Sequence, residues 1–171
     1  MSQPPTEPLA SHHDRGAFDC GDERLNKFLK ERALEEQNAQ FSVCWVLPDP
    51  SSRNRIQGFY TLSSYAVWVG DLPAAVRRNL PRYPDVPAAL LGRLAVDATY
   101  RGQDLGEYLV LDAMKKVLIH AATLGTAALI VDAQDMGLAQ YYRNLGFIPF
   151  PSDPLRLFIP VATIAQCFSP A

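Results

Sequence analysis

Apolar residues recur at helical spacing in two stretches of this chain and form short uninterrupted runs in several others. In the first stretch Leu25, Phe28, Leu29 and Ala33 share one face, while Lys27, Lys30, Glu31, Glu35 and Glu36 lie largely off it. That pattern predicts a surface helix with one buried side, and Gly21–Asp22 ahead of it supplies a start. The second stretch, residues 104–125, aligns Leu105, Leu109, Ala113 and Val117, flanked by Val110, Met114 and Leu118. Gly125 is a natural stop, and Asp112 precedes Lys115 and Lys116 by one turn.

The remaining runs read as strands. FSVCWVL (41–47) and IQGFYTLSSYAVWV (56–69) flank the turn-rich PDPSSRNR and predict a hairpin. ALLGRLAVD (89–97) and TAALIVDA (126–133) have the continuous apolar character of strands buried on both faces. Between the hairpin and 89–97, Pro73, Pro81, Pro84 and Pro87 leave room for a short helix around Ala74–Asn79 and then an irregular run. A short helix over 136–146, ending at Gly146, leads to two closing strands, FIPF and LRLFIPV. The resulting order is helix, hairpin, strand, helix, strand, helix, strand, strand. It predicts an α/β (α+β) fold, a single domain over 17–171 with a mixed central sheet flanked by helices.

Ahead of that domain, MSQPPTEPLASHHDRG has three prolines and no apolar run. It is expected to be a mobile tail over 1–16, with His12 and His13 exposed, and neither a signal peptide nor a membrane anchor. At 171 residues, 48% hydrophobic and 20% charged, the chain is long enough for a real core. Its net charge of −2 argues against a globally basic nucleic-acid binder but leaves room for a local basic patch. Cys20, Cys44 and Cys167 are scattered and odd in number, which fits a reducing, cytoplasmic location and not a disulfide framework. No histidine or cysteine spacing matches a zinc site, and no metal is expected.

Two segments carry candidate chemistry. In LLGRLAVDATYRGQDLGEYLV a strand delivers the chain to a loop with Arg101, Gly102, Gln103, Asp104, Leu105 and Gly106, and a long helix follows at once. The first turn of a helix has N–H groups without intrahelical partners, and the macrodipole adds positive potential there. Such a turn binds a pyrophosphate, glycines allow close approach, and Arg101 adds a charge-assisted donor. Taken alone, the segment is equally a glycine turn feeding a helix. In VDAQDMGLAQYYRNLGF a buried strand ends at Asp132–Ala133 and a short helix presents Tyr141 and Tyr142 about 100° apart. One tyrosine can pack while the other serves a cleft, and two packing tyrosines are the plainer alternative.

In this order, and with the surrounding blocks FDCGDERLNKFL, GFYTLSSYAV, GRLAVD and YYRNLGFIPFPSDPLRLFIP, the two segments resemble the GCN5-related N-acetyltransferase (GNAT) superfamily. The likeness is closest to the toxin branch found in type II toxin–antitoxin systems, and it runs from about Phe18 to Pro160. The superfamily signature, R/Q-x-x-G-x-G/A, is met by Arg101 and Gly106, with Asp104 in place of its first glycine. The resemblance implies acetyl-coenzyme A as donor, with the backbone around Leu94, Ala95 and Val96 along its pantetheine arm. It also implies the 101–106 loop on the pyrophosphate, Asp132, Ala133 and Tyr141 beside the cofactor, and Tyr142 as general acid to the leaving thiolate.

The same resemblance implies an aminoacyl-tRNA substrate, acetylated on its α-amine so that translation is blocked, a ribbon-helix-helix antitoxin and a homodimer. The strand 89–97 has Asp97 as its only carboxylate and no glutamate to act as base. An α-amine, with a reference pKa of about 7.7–8.0, needs far less help losing a proton than a lysine at about 10.4. Arg77, Arg78, Arg82 and Arg93 cluster in sequence and are candidates for tRNA phosphates, with ordinary solvated arginines as the alternative. Two other functions are open at this point: a non-toxic acetyltransferase for a small amine or a protein N-terminus, and a non-enzymatic binding module that has lost cofactor affinity, with Asp104 as its mark. Asp104→Gly is expected to tighten cofactor binding and slightly lower the melting temperature of the free protein.

Overall fold

A computed structural model describes residues 3–169. Seven strands and six α-helices are present among them: β1 (Glu7–Pro8), α1 (Glu23–Glu31), α2 (Ala33–Asn38), β2 (Val43–Pro48), β3 (Ile56–Trp68), α3 (Ala74–Arg77), β4 (Asp85–Val96), α4 (Leu105–Ala121), β5 (Ala128–Asp132), α5 (Met136–Asn144), β6 (Ile148–Phe150), β7 (Asp153–Pro160) and α6 (Val161–Cys167). The strands follow the order β1-β2-β3-β4-β5-β7-β6. β4 and β5 are parallel and the other described pairings antiparallel, so the sheet is mixed as expected. No helix among the described residues is long and apolar enough to cross a membrane.

The chain divides into two compact units, residues 1–63 with 92–113, and residues 64–91 with 114–171. In the first, Phe18, Phe28, Leu29, Cys44, Val46, Ile56 and Phe59 form the core. α4 packs there through Leu109, over Gly58 of β3. A Cβ on Gly58 would lie 2.9 Å from both the Leu109 side chain and the Ala95 carbonyl, so only glycine fits.

The expected mobile tail is corrected for the described residues of 1–16. Glu7–Pro8 pairs with β2, and Leu9 and His13 are buried. Hydrogen bonds, near and distant in sequence, supply the order that apolar content does not. The Asp112 carboxylate of α4 accepts from Thr6 Oγ1 at 2.6 Å and from Tyr60 OH at 2.5 Å. The buried His13 also departs from the exposed pair expected. Its Nδ1 accepts the Ala10 N–H at 2.9 Å, so Nε2 carries the proton and donates to Glu7 at 2.8 Å. Glu7, His12 and His13 stand close enough together to suggest a metal. With both ring nitrogens so engaged, His13 has no lone pair to offer one.

In the second unit Val67, Leu72, Val86, Ile130, Phe150 and Phe158 form a separate apolar cluster. β5 pairs with β4 from Ala88↔Ala128 to Leu91↔Val131, and β4 runs on to Val96. β4 begins at Asp85, earlier than the prolines suggest. Pro87 sits near the strand start, and its carbonyl accepts the Ala127 N–H at 2.8 Å. A proline there gives up no interior ladder bond. The C-terminal α6, which follows directly from Pro160, is not apparent in the sequence pattern.

Candidate active site

The strand–loop–helix segment belongs to the first unit. Asp97 directly follows β4 and is buried, its carboxylate accepting the N–H of Asp19 at 2.9 Å and of Thr99 at 2.8 Å. Each oxygen accepts one backbone amide, so this carboxylate shapes the loop. Ala98 N–H donates to the Asp19 carbonyl at 2.8 Å, and the Arg101 guanidinium to the Cys20 carbonyl at 2.7 Å. The 19–20 segment thereby latches the loop from outside. Leu94 and Val96 of β4 are half-buried and Ala95 is buried.

Arg101, Gly102, Gln103 and Asp104 are exposed, whereas Leu105 is buried and anchors the first turn of α4. A Cβ on Gly102 or on Gly106 would meet nothing within 4 Å. The helix N-terminus therefore opens onto free space at both glycines, as a pyrophosphate against the first-turn amides requires. Gly102 has φ +80 and Asp104 φ +57. The left-handed conformation explains why the superfamily places glycine at the fourth signature position. It costs an L-residue about 1–2 kcal/mol, with Asp among the side chains that tolerate it. Asp104→Gly relieves that strain while forfeiting a dipole interaction of about 0.3–1 kcal/mol. The expected fall in melting temperature is therefore replaced by little or no change.

The tyrosine pair belongs to the second unit. Asp135 caps α5 by accepting the Leu138 N–H at 2.8 Å. At the other end, Phe147 N–H reaches the Tyr142 carbonyl at 3.1 Å and Gly146 N–H the Arg143 carbonyl at 3.0 Å. With Gly146 at φ +111 this is a Schellman stop, and its accompanying apolar contact is Phe147 against the Tyr142 ring, centroids 5.3 Å apart. The helix end thus fixes both the backbone and the ring of Tyr142.

Tyr142 is only 4% exposed. Its hydroxyl makes no hydrogen bond among the described residues. Burial, and then the neighbouring Tyr141, push its pKa up to about 12. The group keeps its proton at any physiological pH and has that proton unspent. Tyr141 is half-buried and meets Tyr142 edge-on at 5.8 Å.

Asp132 is held by Arg156 through two bonds of 2.8 and 3.0 Å, and Arg156 also donates to Tyr65 OH at 2.6 Å. The sequence reading missed Arg156. The signal was the opposite charge placed directly across from Asp132 in β7, visible only with the register in hand. That grip fixes Asp132 at the end of β5, and the N–H of the buried Ala133 donates to the Leu155 carbonyl at 2.7 Å. Arg77, Arg78 and Arg82 are exposed in this unit. Arg93 lies in the first unit, its guanidinium 3.8 Å from the Phe28 ring centroid.

No family model matches the chain. It is 32% identical over 166 residues to a probable toxin TacT of Sinorhizobium fredii, covering 92% of this chain and 91% of the relative. It is 36% identical over 151 residues to a tRNA-acetylating toxin of Mycobacterium tuberculosis, covering 88% of each. Among solved structures, a mutant of KacT superposes with a TM-score of 0.89 at 33% identity, over 98% of this chain and all of that one (100%). AtaT complexed with acetyl-methionyl-tRNAfMet gives 0.88 at 30% identity, over 96% of this chain and 98% of that one. AtaTR bound with acetyl-coenzyme A gives 0.84 at 29% identity, over 99% and 100%.

Proposed function

The chain belongs to the GNAT acetyltransferase toxins of toxin–antitoxin systems, and on that premise we propose that it moves the acetyl group of acetyl-coenzyme A onto the α-amine of an aminoacyl-tRNA. The observation that carries the catalytic half of this reading is Tyr142: a buried ring, fixed at a helix end, with an unspent hydroxyl proton. A tRNA-acetylating toxin among the relatives, and AtaT with an acetylated initiator tRNA among the neighbours, support the choice of acceptor.

In this reading the first-turn amides of α4, opened by Gly102 and Gly106, take the pyrophosphate, with Arg101, Gln103 and Leu105 completing the loop. The backbone of Leu94, Ala95 and Val96 takes the pantetheine arm, and Asp132, Ala133 and Tyr141 stand beside the donor. The free amine attacks the thioester carbonyl, an N–C bond forms and the C–S bond breaks. Tyr142 donates to the sulfur as charge grows there. Full proton transfer to a free thiolate is uphill, since a thiol's reference pKa is about 8.5. The hydrogen bond therefore strengthens during cleavage, and as the Tyr142 proton crosses to the sulfur the ammonium of the adduct gives its proton to water, from which the tyrosinate recovers its own. No carboxylate base is assigned, which suits an acceptor with a sizeable free-amine fraction near neutrality.

Arg77, Arg78, Arg82 and Arg93 are assigned to tRNA phosphates. A homodimer, a cytoplasmic location and a ribbon-helix-helix antitoxin complete the proposal; AtaT bound to the C-terminus of the antitoxin AtaR is a neighbour that supports an antitoxin partner. The test is chemical identification of the product formed from charged tRNA in competition with a free polyamine.

Asp104 sets a quantitative expectation. Its carboxylate stands in the turn assigned to the pyrophosphate, and like charges a few ångströms apart near the surface repel by several kcal/mol before screening. Asp104→Gly is expected to lower the Kd of acetyl-coenzyme A by about 10-fold, and Asp104→Asn by less because its bulk remains. Titration calorimetry reads both. Unchanged or weaker binding in the two variants means that the carboxylate points away from the phosphates.

A further inference from the structure

The loop between β3 and β4 has two distinct faces. Val69 N–H donates to the Pro84 carbonyl at 2.8 Å and closes residues 70–83 into a compact loop. Inward, Leu72 is buried and Val76 and Leu80 pack on the cluster of Val67, Val86, Phe150 and Phe158. Outward, Trp68 is 60% and Tyr83 71% exposed, one at each end of the closing bond, and Arg77, Arg78 and Arg82 are exposed between them. The apolar inner face makes the outer one a rigid platform.

Trp68 is built into this platform. A Cβ on Gly70 would come within 2.6–2.7 Å of three atoms of the indole six-membered ring. The ring thus lies against the Gly70 backbone, braced on one face while much of the side chain remains open to solvent. The arginines are also poised. Arg24, Arg32, Arg53 and Arg156 each hold an ion pair. The side chains of Arg77, Arg78 and Arg82 make no hydrogen bond or ion pair among the described residues.

Exposed aromatic faces interleaved with unspent guanidinium groups suit unpaired nucleic acid, since bases in a duplex hide their π-faces. We propose that Trp68 and Tyr83 stack the bases of the unpaired 3′ tail of the charged tRNA, with Arg77, Arg78 and Arg82 on its phosphates. The proposal rests on the acceptor assigned above. That acceptor is esterified to the tail, so this single-stranded segment reaches the enzyme in every turnover. Phosphate contacts alone position an RNA; the two rings add an affinity that depends on the bases being unpaired.

The test compares wild type with Trp68→Ala, Trp68→Phe and Tyr83→Ala. KM for charged tRNA should rise about 10-fold in each alanine variant, with kcat within about 2-fold, the size of effect expected for one lost base stack. Trp68→Phe should keep most of the wild-type KM, and the Kd of acetyl-coenzyme A should not move. An uncharged oligonucleotide ending in the unpaired tail should quench wild-type tryptophan fluorescence, and the quench should vanish in Trp68→Ala, where Trp45 still emits. Normal acetylation with unaltered KM in both alanine variants overturns this inference alone. So does a loss of self-association or antitoxin binding in them with KM unchanged, which would assign the platform to a protein partner. Failure of wild type to acetylate any charged tRNA overturns the acceptor assignment itself.

Discussion

Tyr142→Phe will lower kcat by about two to four orders of magnitude, the range for losing a positioned acid, and will leave the fold intact. The substitution keeps the ring that packs on Phe147 and removes a hydroxyl that bonds to nothing among the described residues. Stability in urea should therefore change by less than about 0.5 kcal/mol, as for substitutions that break no native interaction. Tyr141→Phe should cost far less activity. Because burial raises the Tyr142 pKa to about 12, its protonated form persists throughout the neutral range. Any alkaline fall in kcat near neutrality then belongs to another group and should survive in the variant. Equal losses at the two tyrosines would reject the assignment.

Gly106→Leu will separate binding from stability in the opposite sense. Gly106 lies in the first turn of α4, and a Cβ there meets no heavy atom within 4 Å. The protein accommodates the new side chain, and replacing a helical glycine gains up to about 1 kcal/mol. The added atoms fill the space through which the first-turn amides reach an anion. Losing one or two charge-assisted hydrogen bonds at about 1.5–3 kcal/mol each weakens acetyl-coenzyme A by about 100-fold or more. Gly106→Ala, allowed by the superfamily signature, should weaken it only a few-fold. Calorimetry and thermal melts together read this out. A leucine variant that binds like wild type would place the pyrophosphate elsewhere.

The parts of the fold legible in the sequence are those written as period. α1, α4, β5 and α5 follow from apolar spacing, since each buries one face or both. What escaped depends on partners distant in the chain. The N-terminal segment has little apolar content, and its order comes from Thr6 on Asp112 and from the pairing of Glu7–Pro8 with β2. Local composition cannot announce a bond spanning a hundred residues.

The candidate site divides the same way. The open glycine turn and the tyrosine pair stand in sequence as motifs. The left-handed φ of Asp104, the commitment of Asp97 to two backbone amides and the grip of Arg156 on Asp132 are properties of placement. Asp97 shows the cost of reading residue type alone. As the only carboxylate in 89–97 it stands out by residue type, yet each of its oxygens accepts a backbone amide and holds the loop in shape.

Acetylation of the α-amine of an aminoacyl-tRNA leaves a distinct chemical product. Its most direct test is mass spectrometry of tRNA digested after incubation of the protein with acetyl-coenzyme A, a pool of charged tRNAs and an equal concentration of polyamine. N-acetylaminoacyl adenosine is expected as the principal new product, absent without the protein and strongly reduced with Tyr142→Phe. Acetylated polyamine accompanied by unmodified aminoacyl adenosine would contradict it.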